Sequence, residues 1–487
     1  SLLLPEVVRE LDRRAIEDHG IPGYTLMTRA GQAAFEAART KYPSAQRWLV
    51  VCGAGNNAGD GYVIARLARA AGLDVQVAAI SDPARLGGDA ATAWADYLKA
   101  GGVCQALADA DPATADLIVD ALLGTGLDRE VGGVFRDAVE QINAAAAPVL
   151  AADIPSGLNG TTGQVMGVAV RAALTVTFVG RKQGLYLGAG PDLCGEILFS
   201  DLGAPPAVMN GIAPAMLLFD DAQLAELFPR RPATAHKGLF GHVLIVGGNH
   251  GMGGAVRLAG EAALRSGAGL VSVATRAATA GAVVAGRPEL MCRAVDKLDE
   301  LDALLERATH VAIGPGLGQD AWAQQLMARV LAAGLPTVID ADALNLLAAT
   351  PQRREDWVLT PHPGEAARLL GVDTRTVQGD RMAALATLNE RFGGVAVLKG
   401  RGTLVGQAGQ LPYLIDRGNP GMATAGMGDV LTGTVAALWA QLPDQGLAAT
   451  AAAAWVHASA GDRAAVQGER GMVAGDLLPH LRACLNP

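Results

Sequence analysis

Short apolar runs recur along the chain, and each is followed by a glycine-rich or polar turn and then by a longer segment with one apolar face. In the first half such runs occupy residues 48–52, 117–119 and 149–152. Continuous apolar runs of this length are typical of strands buried on both faces of a parallel sheet. The alternation of these runs with helical segments predicts an α/β fold.

The same alternation continues in the second half, where apolar runs occupy residues 242–246, 310–313, 337–340, 357–359 and 395–398. Each run ends in a loop that is rich in Gly, Asp, His, Lys or Thr. Ligands of open parallel sheets bind at the carboxyl ends of the strands. We therefore expect these five loops to converge on one site.

The chain is longer than a single core usually allows. It has 487 residues, and residues 201–215 hold Pro205, Pro206, Gly211 and Pro214 between the two α/β patterns. Half of the residues are hydrophobic but only 4% are aromatic, so small side chains must fill the sheet cores. We predict two doubly wound domains, residues 1–210 and residues 219–487.

Charge and cysteine content exclude several classes of protein. A net charge of −9 provides no basic surface for nucleic acid, and the apolar stretches are too short to span a bilayer. The five cysteines are scattered and odd in number, which fits neither a disulfide framework nor a zinc site. The sequence thus predicts a cytoplasmic protein whose partners are small molecules.

The most informative motif lies in residues 419–433, where Gly426, Gly428 and Asp429 open an apolar-faced helix. Glycine lets backbone N–H groups approach an anion, and the helix adds the positive end of its dipole. A carboxylate placed there can accept the proton of an attacking hydroxyl while the amides hold phosphoryl oxygens. Taken alone, the motif fits a glycine cap followed by an N-capping Asp better than it fits a phosphate site. The other polar loops favour phosphoryl transfer, with Asp429 as an exposed loop acid that contributes little to stability.

Residues 219–487 resemble the ribokinase-like superfamily and, within it, the NAD(P)H-hydrate dehydratases. The resemblance rests on Lys237-Gly238 and on residues 314–318, 340–345, 360–365 and 419–429, which follow one another in the order of that family. His362 stands three residues before Glu365. Kinases of the superfamily tend to carry Asn there, before the Glu that organises magnesium-bound water. The departure favours the dehydratase branch over a vitamin or sugar kinase.

This resemblance implies a ribokinase-like domain that removes water from hydrated NADH and NADPH, called NADHX and NADPHX, at the expense of a nucleotide and with magnesium. Asp429 would be the catalytic base. The substrate-binding residues would be Ala255, Gly318, His362 and Asp429. The nucleotide-binding residues would be Lys399, Gly400, Arg401, Gly402, Thr403, Gly426 and Gly428. Whether the donor is ADP, giving AMP and phosphate, or ATP stays open.

A second ligand site is indicated in the first half of the chain. The apolar run 48–52 opens into a turn with Asn56 and Asn57, and two later runs end in Asp120 and Asp153. The turn differs from the dinucleotide fingerprint, because its third glycine is displaced and two asparagines occupy it. The alternative for each Asp is a residue that only caps the next helix.

Residues 1–210 resemble the NAD(P)H-hydrate epimerase family, whose signature is Asn-Asn-Gly-Gly-Asp-Gly, followed by Asp-Ala-Leu-Leu-Gly-Thr-Gly and Asp-Ile-Pro-Ser-Gly. The two later motifs stand at residues 120–126 and 153–157. The resemblance implies a Rossmann-like three-layer sandwich. Ala58 replaces the first glycine of the signature, and a positive φ would be unfavourable for alanine. We therefore expect the backbone of this loop to differ slightly from that of the family.

The epimerase resemblance implies a potassium ion bound by Asn57, Asp120 and Ser156, since oxygen ligands suit a hard cation. Asp153 would be catalytic and would lie against the reacting ring. Its route, ring opening or loss of hydroxide, stays open. The substrate-binding residues would be Asn56, Asn57, Ala58, Gly59, Asp60, Gly124, Thr125, Gly126, Leu127, Asp128, Arg129, Glu130 and Asp153.

Together the two resemblances predict a bifunctional repair enzyme. One half would interconvert the R and S epimers of the hydrates, and the other would dehydrate the S epimer. A homo-oligomer is expected by analogy. The alternative is a small-molecule kinase, specific for a vitamin precursor, fused to a non-catalytic binding domain.

Overall fold

The computed structural model describes residues 1–486. It divides into two compact units, residues 1–216 and residues from Leu217 onward. Both units have mixed α/β architecture with mostly parallel sheets, which confirms the predicted fold class. Among the described residues, no helix has the length and apolar character needed to cross a membrane.

The first unit is built on one sheet with the strand order β3-β2-β1-β4-β5-β6-β7. All neighbouring strands are parallel. The strand order reverses between β1 and β4, which makes this the point where a crevice opens at the carboxyl edge. The strands are β1 (Arg47–Cys52), β2 (Asp74–Ala79), β3 (Cys104–Ala106), β4 (Leu117–Ala121), β5 (Val149–Ala152), β6 (Leu174–Phe178) and β7 (Glu196–Ser200).

Helices cover this sheet, and the face toward it is lined with apolar residues such as Val8, Leu11, Val63 and Ile64, all buried. The helices are α1 (Pro5–Glu17), α2 (Gly23–Lys41), α3 (Asn56–Ala70), α4 (Gly88–Lys99), α5 (Gly133–Ala144) and α6 (Gly190–Leu193). Short 3₁₀ helices span Pro83–Arg85, Leu107–Asp109, Pro112–Thr114, Gln183–Leu185 and Pro206–Met209.

The second unit is built on a sheet with the order β11-β10-β9-β12-β13-β14-β15-β16-β17-β8. Its strands are parallel except for the antiparallel pairs β15–β16 and β16–β17. The strands are β8 (Leu217–Leu218), β9 (His242–Val246), β10 (Leu270–Thr275), β11 (Met291–Ala294), β12 (His310–Ile313), β13 (Thr337–Ile339), β14 (Trp357–Leu359), β15 (Val395–Leu398), β16 (Thr403–Gln407) and β17 (Tyr413–Ile415).

The helices of this unit are α7 (Asp221–Leu227), α8 (Gly253–Arg265), α9 (Ala277–Gly286), α10 (Leu298–Leu305), α11 (Ala321–Ala332), α12 (Ala341–Ala349), α13 (Pro363–Leu370), α14 (Thr374–Gly379), α15 (Arg381–Phe392), α16 (Met427–Gln441), α17 (Gly446–Ala464) and α18 (Leu478–Cys484). Short 3₁₀ helices span Lys237–Phe240, Pro420–Met422, Ala465–Gln467 and Ala474–Leu477. The alanine-rich segment of α17 is almost entirely buried, as expected for a core helix.

Close packing of α16 against α8 fixes the helix that carries the glycine-rich motif. A side chain at Gly433 of α16 would overlap the backbone carbonyl of Ala259 in α8. Val430, Val435 and Leu438 bury themselves fully on the same helix. The position of the α16 N-terminus therefore depends on a backbone contact that tolerates only glycine.

This contact predicts opposite effects of two glycine-to-alanine substitutions. Gly433→Ala forces α8 and α16 apart and should lower the free energy of unfolding by about 1–3 kcal/mol. Gly281→Ala is the matched control, because its new methyl group meets nothing within 4 Å on α9 and removes chain entropy, for a gain of about 0.5–1 kcal/mol. Calorimetric melting of both variants tests this. Equal melting temperatures would show that the helices separate at no cost.

Candidate functional site

The first unit contains a cavity of about 560 Å³, here called the N-terminal cavity. It opens at the carboxyl edge of the sheet, where the loops after β1 and β4 face each other. Its walls also include helices α1 and α2 and the end of β5. The predicted site residues that line it are Asn56, Asn57, Asp60, Gly124, Thr125, Gly126, Leu127, Asp128, Arg129 and Asp153.

Three residues predicted to bind substrate lie outside this lining. Ala58 is fully buried in the core, and Gly59 is buried against Met27 of α2. Glu130 is exposed to solvent beyond the cavity. The side chains of Ala58 and Glu130 therefore do not face the cavity.

Ala58 has no positive φ, so the conformation that would be unfavourable for alanine does not occur there. Helix α3 begins at Asn56, so Ala58 has helical backbone angles and no positive φ. The segment predicted as a turn is the first turn of the helix, where alanine fits without strain. The two asparagines thus sit at the helix N-terminus and face the β4 loop.

Four oxygen-bearing residues cluster behind the cavity. Asp120 is fully buried and accepts hydrogen bonds from the Ser156 hydroxyl (2.6 Å) and the Ser156 amide (2.8 Å). The Ser156 oxygen accepts from the Leu123 amide (2.8 Å), and the Asn57 side-chain amide donates to the Leu123 carbonyl (3.0 Å). Asn57, Asp120 and Ser156, predicted as ligands of one ion, are therefore brought together. The Leu123 carbonyl joins them, although a backbone oxygen carries no signal in the sequence.

The donors of this oxygen cluster suit a hard cation, although only one of them, Asp120, is an acid. The Asn57 side-chain oxygen is buried and has no hydrogen-bond partner among the described residues. Burial raises the pKa of Asp120 to about 6, although the hydrogen bonds from Ser156 and Leu122 oppose the shift. The described residues hold no group of three or more His, Cys, Asp or Glu side chains that could bind a metal. Amide, hydroxyl and carboxylate oxygens suit a hard cation.

Asp153 occupies an unusual backbone position at the end of β5. Its φ is +70°, which few non-glycine residues adopt and which often marks functional sites. Its carboxylate accepts from the Phe178 amide (3.2 Å) and forms a short ion pair with Lys182, a side chain that is 1% exposed. Lys182 was missed by the sequence analysis, because it follows a different strand and belongs to no quoted motif.

The second unit gathers charged residues at the N-terminus of α16. Lys399, after β15, lies 2.9 Å from Asp340, after β13, and 3.8 Å from Glu365. The Thr432 hydroxyl of α16 donates to the other Asp340 oxygen at 2.7 Å. A side chain at Gly428 would begin 3.4 Å from the Lys399 amine and 3.5 Å from Asp340. The absence of a side chain there keeps the pair open toward the helix N-terminus.

The charged groups in this cluster shift one another's pKa values. Burial alone would lower the pKa of Lys399, but Asp340 and Glu365 outweigh it and raise that pKa above its ordinary value. Burial would raise the pKa of Asp340, yet Lys399 and Thr432 hold it below the usual range. The pair is therefore ionised and fixed in place.

Asp429 stands in the first turn of α16 and is half-buried, so its expected exposure is wrong. Gly426, with a φ of +88°, gives the chain the left-handed turn that starts this helix. Burial and the negative charge of Asp340 raise the pKa of Asp429 to about 7, while Lys399 opposes the shift. No hydrogen bond or ion pair within the described residues occupies its carboxylate. It is thus a free acid–base group near neutral pH.

His362 caps helix α13. Its ring Nδ1 accepts from the Gly364 amide at 3.0 Å, and its own amide donates to Glu365 at 2.8 Å. The side chain is 57% exposed, and through Glu365 it adjoins Lys399. His362 therefore presents an exposed ring edge beside the charged cluster.

Arg381 forms hydrogen bonds with the backbone of the predicted nucleotide loop, residues 399–403. This guanidinium is 5% exposed and donates to the carbonyls of Leu398 (3.1 Å) and Gly402 (3.2 Å). Arg401 donates to the Gly418 carbonyl, and the Thr403 hydroxyl donates to that of Gly400 (2.7 Å). The carbonyls of Leu398, Gly400 and Gly402 thus have hydrogen-bond donors within the protein.

Ala255 and Gly318 lie at the point where the strand order of the second sheet reverses. The loops after β9 and β12 meet there, since a side chain on Gly316 would touch Ala255. The Gly318 amide donates to Asp342 at 2.8 Å, and the charge of Asp342 contributes to the raised pKa of Asp429. Asp342 thus connects Gly318 with the predicted base.

A buried histidine and a fixed acid were also missed. His457 of α17 lies 2.9 Å from the Met427 carbonyl, so its Nε2–H donates there, and burial lowers its pKa to about 4. It supports the first turn of α16 as a neutral group. Asp340 stood in a quoted motif, but its buried pairing with Lys399 depends on strands 59 residues apart.

The arrangement can activate a hydroxyl and stabilise an anion. The α16 N-terminus offers backbone N–H groups that lack intrahelical partners, and Lys399 adds a fixed positive charge. Asp429 can take a proton at neutral pH. In the first unit, Asp153 and Lys182 lie near the cluster of oxygen donors formed by Asn57, Asp120, Ser156 and the Leu123 carbonyl.

Two family models match the chain, one within each unit. A family described as NAD(P)H-hydrate dehydratase matches residues 243–482. A family described as YjeF-related protein N-terminus matches residues 23–184.

Solved structures similar to the second unit support its fold. An ADP/ATP-dependent NAD(P)H-hydrate dehydratase from Bacillus subtilis, co-crystallised with ATP and Mg²⁺, is 27% identical, with a TM-score of 0.51. It covers 56% of this chain and 98% of its own. A ribokinase-like superfamily protein from Enterococcus faecalis is 32% identical, with a TM-score of 0.53, and covers 56% of this chain and 95% of its own. The predicted ribokinase-like fold is confirmed.

Two curated relatives match over nearly the whole chain. The bifunctional NAD(P)H-hydrate repair enzyme of Coxiella burnetii is 48% identical over 99% of this chain and 98% of its own length. That of Escherichia coli K12 is 45% identical over 99% of this chain and 93% of its own. The chain therefore belongs to the family of bifunctional NAD(P)H-hydrate repair enzymes.

Proposed function

We propose that this enzyme interconverts the R and S epimers of NADHX and NADPHX in its first unit and dehydrates the S epimer in its second. The observation that carries the proposal is Asp429, a free carboxyl with a pKa near 7 at a helix N-terminus beside the fixed Lys399–Asp340 pair. The relatives that match the full chain carry the name of a bifunctional repair enzyme. A vitamin-precursor kinase with a non-catalytic partner domain does not fit relatives of that kind.

Dehydration must overcome a poor leaving group. Asp429 accepts the proton of the ring hydroxyl, whose oxygen then attacks the terminal phosphoryl group of the nucleotide, and the P–O bond to the departing AMP (from ADP) or ADP (from ATP) breaks. The phosphate leaves with the bonding electrons, the lone pair of the ring nitrogen assists, and a proton departs from the neighbouring carbon to restore the double bond. The amides at Gly426 and Gly428 stabilise the charge on the phosphoryl oxygens. Ala255, Gly318 and His362 contact the substrate.

A nucleotide fits the loop of Lys399, Gly400, Arg401, Gly402 and Thr403. The carbonyls of Lys399 and Gly402 accept from Arg381, and the Lys399 amide donates to the Pro361 carbonyl, so the loop would offer phosphate oxygens the amides of Gly400, Arg401 and Gly402. Magnesium bound with the nucleotide would offset the negative charge of its phosphates. The Bacillus subtilis neighbour was co-crystallised with ATP and Mg²⁺, and its name includes both ADP and ATP. Either nucleotide is compatible with this loop.

The first unit would bind potassium through Asn57, Asp120 and Ser156. The unpartnered side-chain oxygen of Asn57 and the nearby Leu123 carbonyl support this proposal, because both are neutral oxygen donors. The ion would supply positive charge near the phosphates of the dinucleotide. Asp153 acts as acid and base at the hydroxyl-bearing carbon of the ring. Assembly into a homo-oligomer stays a prediction.

Replacing the base should separate the two activities. Asp429→Asn keeps the shape of the side chain but cannot accept the proton, so recovery of reduced-nicotinamide absorbance should fall by about 10²–10⁴-fold. Epimer exchange should persist. Asp444→Asn, exposed just beyond α16, is the matched control and should leave both rates unchanged. Dehydration at a normal rate by Asp429→Asn would remove the assignment.

The rate of dehydration should depend on pH through Asp429. The carboxylate is the active form, so kcat/KM should fall about tenfold per pH unit below about 7 and level off above it. Asp340, Asp342 and Lys399 are the charges that set this value. Asp342→Asn removes one negative neighbour and should move the midpoint to lower pH. A profile that is flat from about pH 5 to 8 would contradict a base of this pKa.

Asp153→Asn should abolish epimer exchange, because the amide can hold Lys182 by a hydrogen bond but cannot carry a proton. NMR signals of the R and S hydrates measure the exchange after one epimer is added. Dehydration of the S epimer is the internal control for folding, and Asp137→Asn, exposed on α5, is the matched substitution. Exchange at the normal rate would show that Asp153 only positions Lys182.

A further inference from the structure

Helix α1 forms one wall of the N-terminal cavity. Val8, Arg9, Asp12 and Ile16 from this helix line it, although the matched family region begins only at residue 23. Asp12 shares the cavity with Asp60, Asp153 and Lys182. Three acids and one amine therefore meet there, and one acid comes from a segment in which no motif was found.

The segment that leads into α1 is hydrogen-bonded to the chain on both sides of Lys182. Leu3, just before α1, pairs with Lys182 in a parallel bridge, donates to the Arg181 carbonyl (2.8 Å) and accepts from the Gln183 amide (3.0 Å). A side chain on Gly180 would lie 2.6 Å from Leu3 and 2.9 Å from Val8. The start of α1 is thus anchored to the strand end that carries the lysine, which fixes the position of Asp12.

Lys182 cannot satisfy the Asp12 carboxyl. An ammonium group has three N–H donors. Those of Lys182 are directed to Asp153, to the Thr177 hydroxyl (3.1 Å) and to the Phe178 carbonyl (3.0 Å). Within the described residues, no hydrogen bond or ion pair joins Asp12 to another group. Its carboxyl is left facing the cavity.

The surroundings keep Asp12 able to gain and lose a proton. Burial raises the pKa of Asp12 to about 6; the positive Lys182 opposes this and the negative Asp153 adds to it. Burial also raises the pKa of Asp60, with Asp153 and Asp12 adding to the shift. Asp12, whose pKa is about 6, can both gain and lose a proton near neutral pH.

We propose that Asp12 is a second catalytic acid–base residue of the epimerase, and that it works on the hydrated nicotinamide ring together with Asp153. The inference rests on the proposed epimerase function and adds a residue to it. Inversion needs a proton donor for the departing oxygen and a proton acceptor for the returning one. One carboxyl on α1 and one at the end of β5 supply both roles from different walls of the cavity.

The proposed inversion transfers one proton from Asp12 to Asp153. In one direction, protonated Asp12 donates to the ring hydroxyl, the C–O bond breaks, water leaves, and the ring nitrogen lone pair forms a C=N bond. Water then adds to the opposite face, the C=N electrons return to nitrogen, and the Asp153 carboxylate takes the proton lost by that water. The reverse direction exchanges the two roles. Nothing is oxidised or reduced, and the active enzyme carries one proton shared between the two acids.

Asp12→Asn tests the proposal in the full-length enzyme. Epimer exchange measured by NMR should lose about 100-fold or more in kcat, with KM changed less than about twofold. Dehydration of the S epimer should be unchanged. Asp18→Asn, exposed at the end of the same helix, is the matched control and should exchange normally. Normal kcat in Asp12→Asn would overturn the proposal.

A pH profile separates catalysis from a structural role. In the unsubstituted enzyme, kcat/KM for exchange should fall above about pH 6, because the shared proton is lost. Other charged groups lining the cavity are Arg9, Asp60, Asp89, Asp128, Arg129 and Lys182. Asp12→Glu should keep that limb and part of the rate, whereas Asp12→Ser should lose both. Equal rates in the Glu and Ser variants would overturn the proposal.

The outcomes also separate this inference from the proposed function. No exchange in the unsubstituted enzyme, with dehydration intact, would remove the epimerase assignment itself. Exchange that is normal in the unsubstituted enzyme and in Asp12→Asn would remove only the role of Asp12. If circular dichroism shows that Asp12→Asn does not fold, the comparison of Asp12→Glu with Asp12→Ser decides.

Discussion

Acids buried at the carboxyl edge of a parallel sheet need a partner from another segment, and both units are organised by this constraint. Asp120 is satisfied by Ser156, Asp153 by Lys182, and Asp340 by Lys399 and Thr432. An unpaired buried charge costs several kcal/mol, so each pair ties two strand ends together. These pairs fix the geometry around which the reactive groups stand.

Two acids stand beside these pairs without joining them, and each has a raised pKa. Asp429 stands beside the Lys399–Asp340 pair without joining it, and its pKa lies near 7. Asp12 stands beside the Lys182–Asp153 pair in the same way, with a pKa near 6. In the second unit, the fixed ion pair supplies charge and the neighbouring free carboxyl moves the proton. In the first unit, the proposed proton exchange uses both the free carboxyl of Asp12 and that of Asp153, which is also the partner of Lys182.

The sequence alone was a good guide to the strands and a weaker one to side-chain pairing. The strand predicted at residues 242–246 matches β9, and the loops after β1, β4 and β5 lie together as expected. Apolar runs and parallel topology determine those features locally. Lys182, Asp12 and the Asp340–Lys399 contact were missed, because each depends on segments that are distant in the chain. The exposure of Asp429 was wrong for the same reason: a loop motif does not reveal what packs over it.

The central claim is that one chain both interconverts the R and S epimers and dehydrates the S epimer. It is tested most directly by giving the enzyme a mixture of R and S hydrate with excess ADP or ATP and following reduced-nicotinamide absorbance to its end point. The account predicts that the absorbance of the entire mixture returns, and that none returns without nucleotide. A recovery that stops at the initial share of the S epimer would contradict it.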